Sequence, residues 1–188
     1  MSRAGHALVA LLCTSVLAAC PGKQSQNPAE LAREAEQLHR THEYAKAIEL
    51  YRASLTLHPD NGVRANLARA LAAAGKFPEA AAEYNALLKD DSSNGALWHD
   101  YGIVLEKGIK DLNAAEEALF NATKYPPKPP EASYDLGRVL MMRARYEEAA
   151  ACFEAALSFG STKATWRDDA NEQLALARVM IAKKDPPK

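Results

Sequence analysis

The chain of 188 residues is long enough for one compact domain or a short repeat array, and a formal net charge of -1 gives no drive toward nucleic acid, whose binders present a strongly basic face. Its 38 Ala, with only 7% aromatics, favour closely packed helices, because Ala is the best helix former and lets helix axes approach. Three Cys without CxxC, CxxCH or zinc-like Cys/His spacing exclude a disulfide framework and argue against a cluster cofactor.

Met1 to His6 carries Arg3 and no acid, and Ala7 to Ala19 then runs without a charge. A membrane span takes roughly 20 apolar residues to cross about 30 Å of hydrocarbon, so residues 1–19 read as a cleaved signal peptide. Their end, Leu17-Ala18-Ala19-Cys20, resembles the bacterial lipobox, in which an apolar residue and two small ones precede the cysteine that becomes the first mature residue. The resemblance implies lipidation of Cys20, whose thiol would carry a diacylglyceryl group by thioether, while Cys13 leaves with the leader. At about 0.8 kcal/mol per buried CH₂, several acyl chains hold a protein on a membrane. Pro21 stands where an aspartate would favour inner-membrane retention, which implies sorting to the outer membrane facing the periplasm. Residues 20–27 form a short linker whose polar part reaches some 23 Å at about 3.3 Å per residue, so the folded part is expected close to the membrane surface.

From residue 28 to 161 the sequence repeats. Ala47, Ala80, Ala115 and Ala149 recur in step with Tyr44, Phe77, Leu112 and Tyr146 before them. Tyr51, Tyr84, Leu119 and Phe153 follow, and Ser54, Leu87, Ala122 and Ala156 close each set. Offsets of three and four residues lie along one face of a helix. A second register precedes it, with Ala35, Ala68, Gly102 and Gly137 each followed by Leu38, Leu71, Leu105 and Leu140. The two registers describe paired antiparallel helices. Gly75-Lys76, Gly108 to Lys110 and Arg143 to Arg145 separate the helices within a copy, and Pro78 falls in a first turn, where its missing N–H costs little. His58 to Asn61, Asp91 to Asn94, Tyr125 to Pro127 and Gly160 to Thr162 supply stops and N-caps between copies. The third copy carries one extra residue near Gly108 to Lys110.

This pattern resembles the tetratricopeptide repeat, through Trp98, Tyr101-Gly102, Ala115, Ala122 and Pro127 in copy three and Tyr44, Ala47-Ile48, Tyr51 and Pro59 in copy one. The resemblance implies an all-α, right-handed superhelix of four helical hairpins. A stack of hairpins leaves its last apolar face open, and a helix over residues 162–183 is expected to cap it with Trp166, Ala170, Leu174, Ala177 and Ile181, leaving 184–188 as a frayed tail.

No phosphate loop, GxSxG, HExxH or paired-carboxylate motif is present, so catalysis is not expected, nor any cofactor beyond the lipid on Cys20. His39 and His42 lack a third ligand in sequence, and Cys152 reads as a small packing residue. Met141-Met142 is either an adaptable binding spot or core filling, and Tyr125 to Pro130 is a stiff joint in preference to a docking segment. By the family pattern, the inner face of the first helices carries Arg33, Glu36 and Arg40, then Asn66 and Arg69, then His99, Asp100, Ile103 and Lys107, then Tyr134, Asp135, Arg138 and Met142. Such a groove suits an extended segment or helix of a protein partner rather than a small-molecule substrate. Ala32, Glu36 and Asp100 stand against a carboxylate clamp for acidic C-termini. The combination of lipobox and tandem repeats resembles, in plan, the pilotin lipoproteins of type IV pilus secretins and the accessory lipoproteins of the outer-membrane barrel assembly machine. It implies a membrane-anchored scaffold for assembly of an outer-membrane complex. The other reading is a regulatory or targeting subunit of a peptidoglycan enzyme.

Overall fold

The structure, a computed structural model, describes residues 27–158 and 165–184. The leader, Cys20 and the break at Gly160 to Lys163 lie outside the described residues. Among the described residues nine α-helices follow one another: α1 (Pro28–Arg40), α2 (Tyr44–Leu57), α3 (Asn61–Ala73), α4 (Phe77–Asp90), α5 (Gly95–Ile103), α6 (Leu112–Lys124), α7 (Pro130–Met142), α8 (Tyr146–Ser158) and α9 (Arg167–Lys184). Each packs chiefly on its neighbours in sequence, as in a solenoid, and α1 to α8 form four hairpins that α9 closes. Among the described residues there is no strand, and no helix is long and apolar enough to cross a membrane.

The second helix of every hairpin begins on the repeat residue that opens its register, at Tyr44, Phe77, Leu112 and Tyr146. Asn27, Asp60, Asn94 and Asp111 cap their helices, each side chain accepting from a backbone N–H of the first turn. Inside the hairpins a second device recurs. His42, Gly75, Lys110 and Ala144, each two residues before the second helix, are left-handed, with φ of 63°, 74°, 64° and 57°. The next residue then donates its N–H back to the repeat leucine: Glu43 to Leu38, Lys76 to Leu71, Asp111 to Leu105 and Arg145 to Leu140, at 2.9–3.1 Å. This closure satisfies carbonyls that the end of a helix leaves open.

In the third hairpin the bond spans one residue more than in the others, and the reason is visible. After Ile103 the helix widens into a π-helical turn over Val104–Ile109, which takes up the extra residue without displacing Leu105 from its role. The insertion that the sequence places in the turn is thus absorbed before it, inside the helix.

Ala35, Ala47, Ala68, Ala80, Ala115 and Ala149 are fully buried, and Tyr51, Tyr84, Leu119 and Phe153 fill the space between them. Where the first register has glycine the approach is closest: a Cβ on Gly102 would lie 2.7 Å from Leu119 Cγ, and one on Gly137 would lie 2.7 Å from Phe153 Cε1. Two apolar clusters result, one spanning α1 to α5 and one running from the π-helical turn to α9, with Trp98 and Tyr101 packed against both. On α9, Ala170, Leu174 and Ala177 are buried, with Trp166 and Ile181 partly buried beside them, so the helix covers the last apolar face. It runs from Arg167 to Lys184, starting five residues after the expected 162 and taking in the first residue of the expected tail, and Trp166 precedes it in a turn.

Candidate partner-binding groove

The first helices α1, α3, α5 and α7 bring most of the expected inner-face residues into three separate groups of polar contacts. On α1, Arg33 is exposed and Arg40 pairs with Glu36 at 3.0 Å. On α3, Arg69 donates through Nη1 to Asn66 Oδ1 at 2.8 Å and through Nε to Asp100 Oδ2 of α5 at 3.0 Å. His99 Nε2 lies 2.9 Å from Asp135 Oδ2 on α7, whose Oδ1 accepts from Arg138 Nη1 at 3.0 Å. Arg138 Nη2 in turn donates to Glu106 Oε1 at 2.7 Å. Tyr134 donates to Asp169 of α9 at 2.5 Å and stacks on Trp166 with ring centroids 5.7 Å apart, and the Arg138 guanidinium lies 5.8 Å from the Tyr134 ring. Ile103 is half-buried, while Lys107 and Met142 are exposed. Of the methionine pair, Met141 packs into the core and Met142 is 60% exposed.

Burial grades the contacts along the solenoid. The side chains of Arg69 and Asp100 are 48% and 31% exposed, whereas Glu106 and Asp135 retain 4% and 10%. Burial works against the charge of Arg138, but Glu106 and Asp135 outweigh it and hold the guanidinium pKa above its ordinary value. Burial, with the bond to Asp169 next, pushes the Tyr134 phenol up to about 12. The pKa of His39, in the last turn of α1, is lowered by burial and then by the charge of Arg69.

Sequence reasoning missed Glu106, Asp169 and Glu131, the last accepting from the Trp166 indole at 3.3 Å. Glu106 belongs to the π-helical turn, whose wider winding carries it rather than Lys107 to Arg138; a uniform 3.6-residue period does not reveal that.

Two cavities open on the α1 and α3 end of the groove. One of about 620 Å³ is lined by Arg33, Glu36, Ser54, Val63 and Asn66, among others; the next, about 410 Å³, is lined by Glu36, Arg40, Tyr51, Asn66 and Arg69 with His39 and His42. A larger hollow of about 820 Å³ lies on the opposite side, between α6 and α8 and floored by Leu136 and Leu140 of α7. Phe120, Cys152 and Ala155 line it, and Arg145 bridges Glu116 and Glu148 at its rim. Burial, followed by the charge of Glu148, pushes the Cys152 thiol up to about 11, so it is a neutral lining group. No group of three His, Cys, Asp or Glu suited to a metal is formed among the described residues.

An array of capped helical hairpins with a polar inner face is a class of protein-interaction scaffold. Models of the tetratricopeptide repeat match residues 38–100 and 105–165, and the chain belongs to that family. No curated protein matches the sequence. Among solved structures, the MamA protein superposes with a TM-score of 0.71 at 17% identity over 84% of each chain. YrrB, described as a tetratricopeptide protein with an unusual peptide-binding site, superposes at 0.67 and 19% identity, over 85% of this chain and 80% of its own. The Yersinia enterocolitica type III secretion chaperone SycD, solved with a peptide of the translocator YopD, gives 0.56 at 16% identity over 65% of this chain and 92% of its own.

Proposed function

We propose that this protein is a lipid-anchored periplasmic scaffold that holds an extended or helical segment of a protein partner in the groove of α1, α3, α5 and α7. The observation that carries the reading is the exposed set Arg33, Glu36 and Arg69, gathered with the half-buried Asn66 around two adjoining cavities on the inner face. The peptide sites named for YrrB and SycD support the same use of a similar fold. Anchoring rests on the lipobox at Leu17 to Cys20, and outer-membrane placement on Pro21. The partner is taken to be a component of an outer-membrane assembly such as a type IV pilus secretin.

Crosslinking in living cells from Arg33 and Arg69, with Phe120 on the opposite side as control, followed by mass spectrometry, tests this. Secretin or barrel-assembly components captured from the groove positions alone support it. A cell-wall hydrolase or synthase instead makes the protein a targeting subunit, and capture no greater than from Phe120 removes the groove. Loss of palmitate labelling in Cys20→Ser tests the anchor. Deletion that leaves secretin multimers and twitching motility intact would remove the pilus assignment.

A further inference from the structure

α9 closes the solenoid with one face and carries a second organised face on the other. Leu176 and Val179 are 48% and 49% exposed, although both are large and apolar. At about 100° per residue they stand some 60° apart on the helix, and Glu172 and Lys183 fall between them. All four thus share a narrow stripe, roughly 160° from the stripe of Ala170, Leu174, Ala177 and Ile181 that meets the core. Neither Glu172 nor Lys183 makes an ion pair with another described residue, whereas their neighbours Arg178 and Lys184 pair with Glu154 and Glu147 on α8.

The spacing along this stripe is symmetric. Glu172 and Lys183 lie equally far, about 8 Å at 1.5 Å per residue, on either side of the midpoint between Leu176 and Val179. A second α9 laid antiparallel across a twofold axis at that midpoint therefore sets Leu176 against Val179 of the other copy and Glu172 against its Lys183, twice over. A parallel copy would set like charges together. The exposed Ala175 and Ala182 flank the stripe and let the two backbones approach.

From this self-complementarity we infer that the outer face of α9 is a homodimer interface whose occupant is α9 of a second copy, arranged isologously. A helix of 18 residues is about 27 Å long, and one face of it covers less than the ~800 Å² per partner of a standard interface. The dimer is accordingly weak, forming at high protein concentration, and the charges set its direction more than its strength.

Sedimentation equilibrium of the full chain in density-matched mild detergent, over a concentration series, tests the inference. The weight-average mass is expected to rise from monomer toward dimer, and Leu176→Asp or Val179→Asp to abolish the rise while leaving the melting temperature unchanged, since both side chains are exposed. Glu172→Lys and Lys183→Glu each weaken association several-fold, and the combined swap restores it. A monomer at every concentration overturns the inference. So does a dimer that survives Leu176→Asp, or a double swap no better than the singles. Dimerisation unaffected by Arg69→Ala keeps this surface separate from the groove, and loss of the dimer in that variant counts against the α9 assignment.

Discussion

Replacing Arg138 with Met isolates the most buried charge of the groove. Glu106, with 4% of its side chain exposed, would lose its ion pair with Arg138, while Asp135 would keep His99 at 2.9 Å. Stranding a buried carboxylate costs about 3–5 kcal/mol. Arg138 itself is 29% exposed, so water can enter part of the space it leaves, and the lower end of that range applies, about 3 kcal/mol. For a chain of this size each kcal/mol moves Tm by roughly 2–4 °C, which puts the expected drop near 6–12 °C in a circular-dichroism melt. Adding Glu106→Gln removes the stranded charge and should recover at least half of the loss. Loss of less than about 2 °C, or single effects that simply add in the double variant, would refute the reasoning, since coupled neighbours depart from additivity by about 0.5–3 kcal/mol.

Gly137→Ala drives a Cβ to within 2.7 Å of the Phe153 ring; overpacking of about 1–3 kcal/mol outweighs the gain in helix propensity of about 1 kcal/mol, and Phe153→Leu should relieve it in the same melt. Ala144→Gly relaxes a left-handed residue at φ 57°, and a net gain of about 0.5–1 kcal/mol is expected in urea unfolding after the entropy that Gly adds to the unfolded chain. Because Cys152 ionises only at about 11, iodoacetamide should label it slowly at pH 8, with a rate that climbs through pH 11. The same group makes the fold alkali-sensitive. Its thiol stays protonated in the folded chain after the unfolded chain has begun to ionise near pH 8.5, so stability is complete below that pH and falls as pH rises toward 11, with Tyr134 extending the decline toward 12. A flat stability profile from pH 8 to 11 would contradict both burials.

The helices were legible because two registers repeat, and the repeated alanines are fully buried between them. Caps were legible at Asp60 and Asn94, within the stretches read as stops and caps, whereas the Asp111 cap inside the third hairpin was not read. The left-handed closures were hidden. Gly75 announces such a turn, but His42, Lys110 and Ala144 adopt it because the bond back to Leu38, Leu105 or Leu140 and the packing of the second helix force it against local preference. Trp166 fits the helical stripe of α9 in sequence, yet stacking on Tyr134 and the bond to Glu131 hold it just ahead of the helix. The hollow between α6 and α8 could not be read at all, since it arises from the spacing of two helices a whole repeat apart.

The polar contacts divide the inner face into two regions with different consequences for a partner. From His99 onward the charges are spent on one another: Asp135 holds both His99 and Arg138, Arg138 holds Glu106, and Tyr134 is tied to α9. A ligand there must break half-buried bonds whose loss is expensive. On α1 and α3 the pairs are exposed, individually contribute about 0–1 kcal/mol, and border two open cavities. A partner can exchange them for its own contacts at little cost. On the proposed use of the groove, recognition is therefore expected in the first two hairpins, with the third and fourth as a rigid extension. Arg69→Ala should leave Tm within about 2 °C of wild type yet abolish crosslinked capture, whereas Arg138→Met should lower Tm and leave capture at permissive temperature intact. The reverse pattern would move recognition to the C-terminal hairpins.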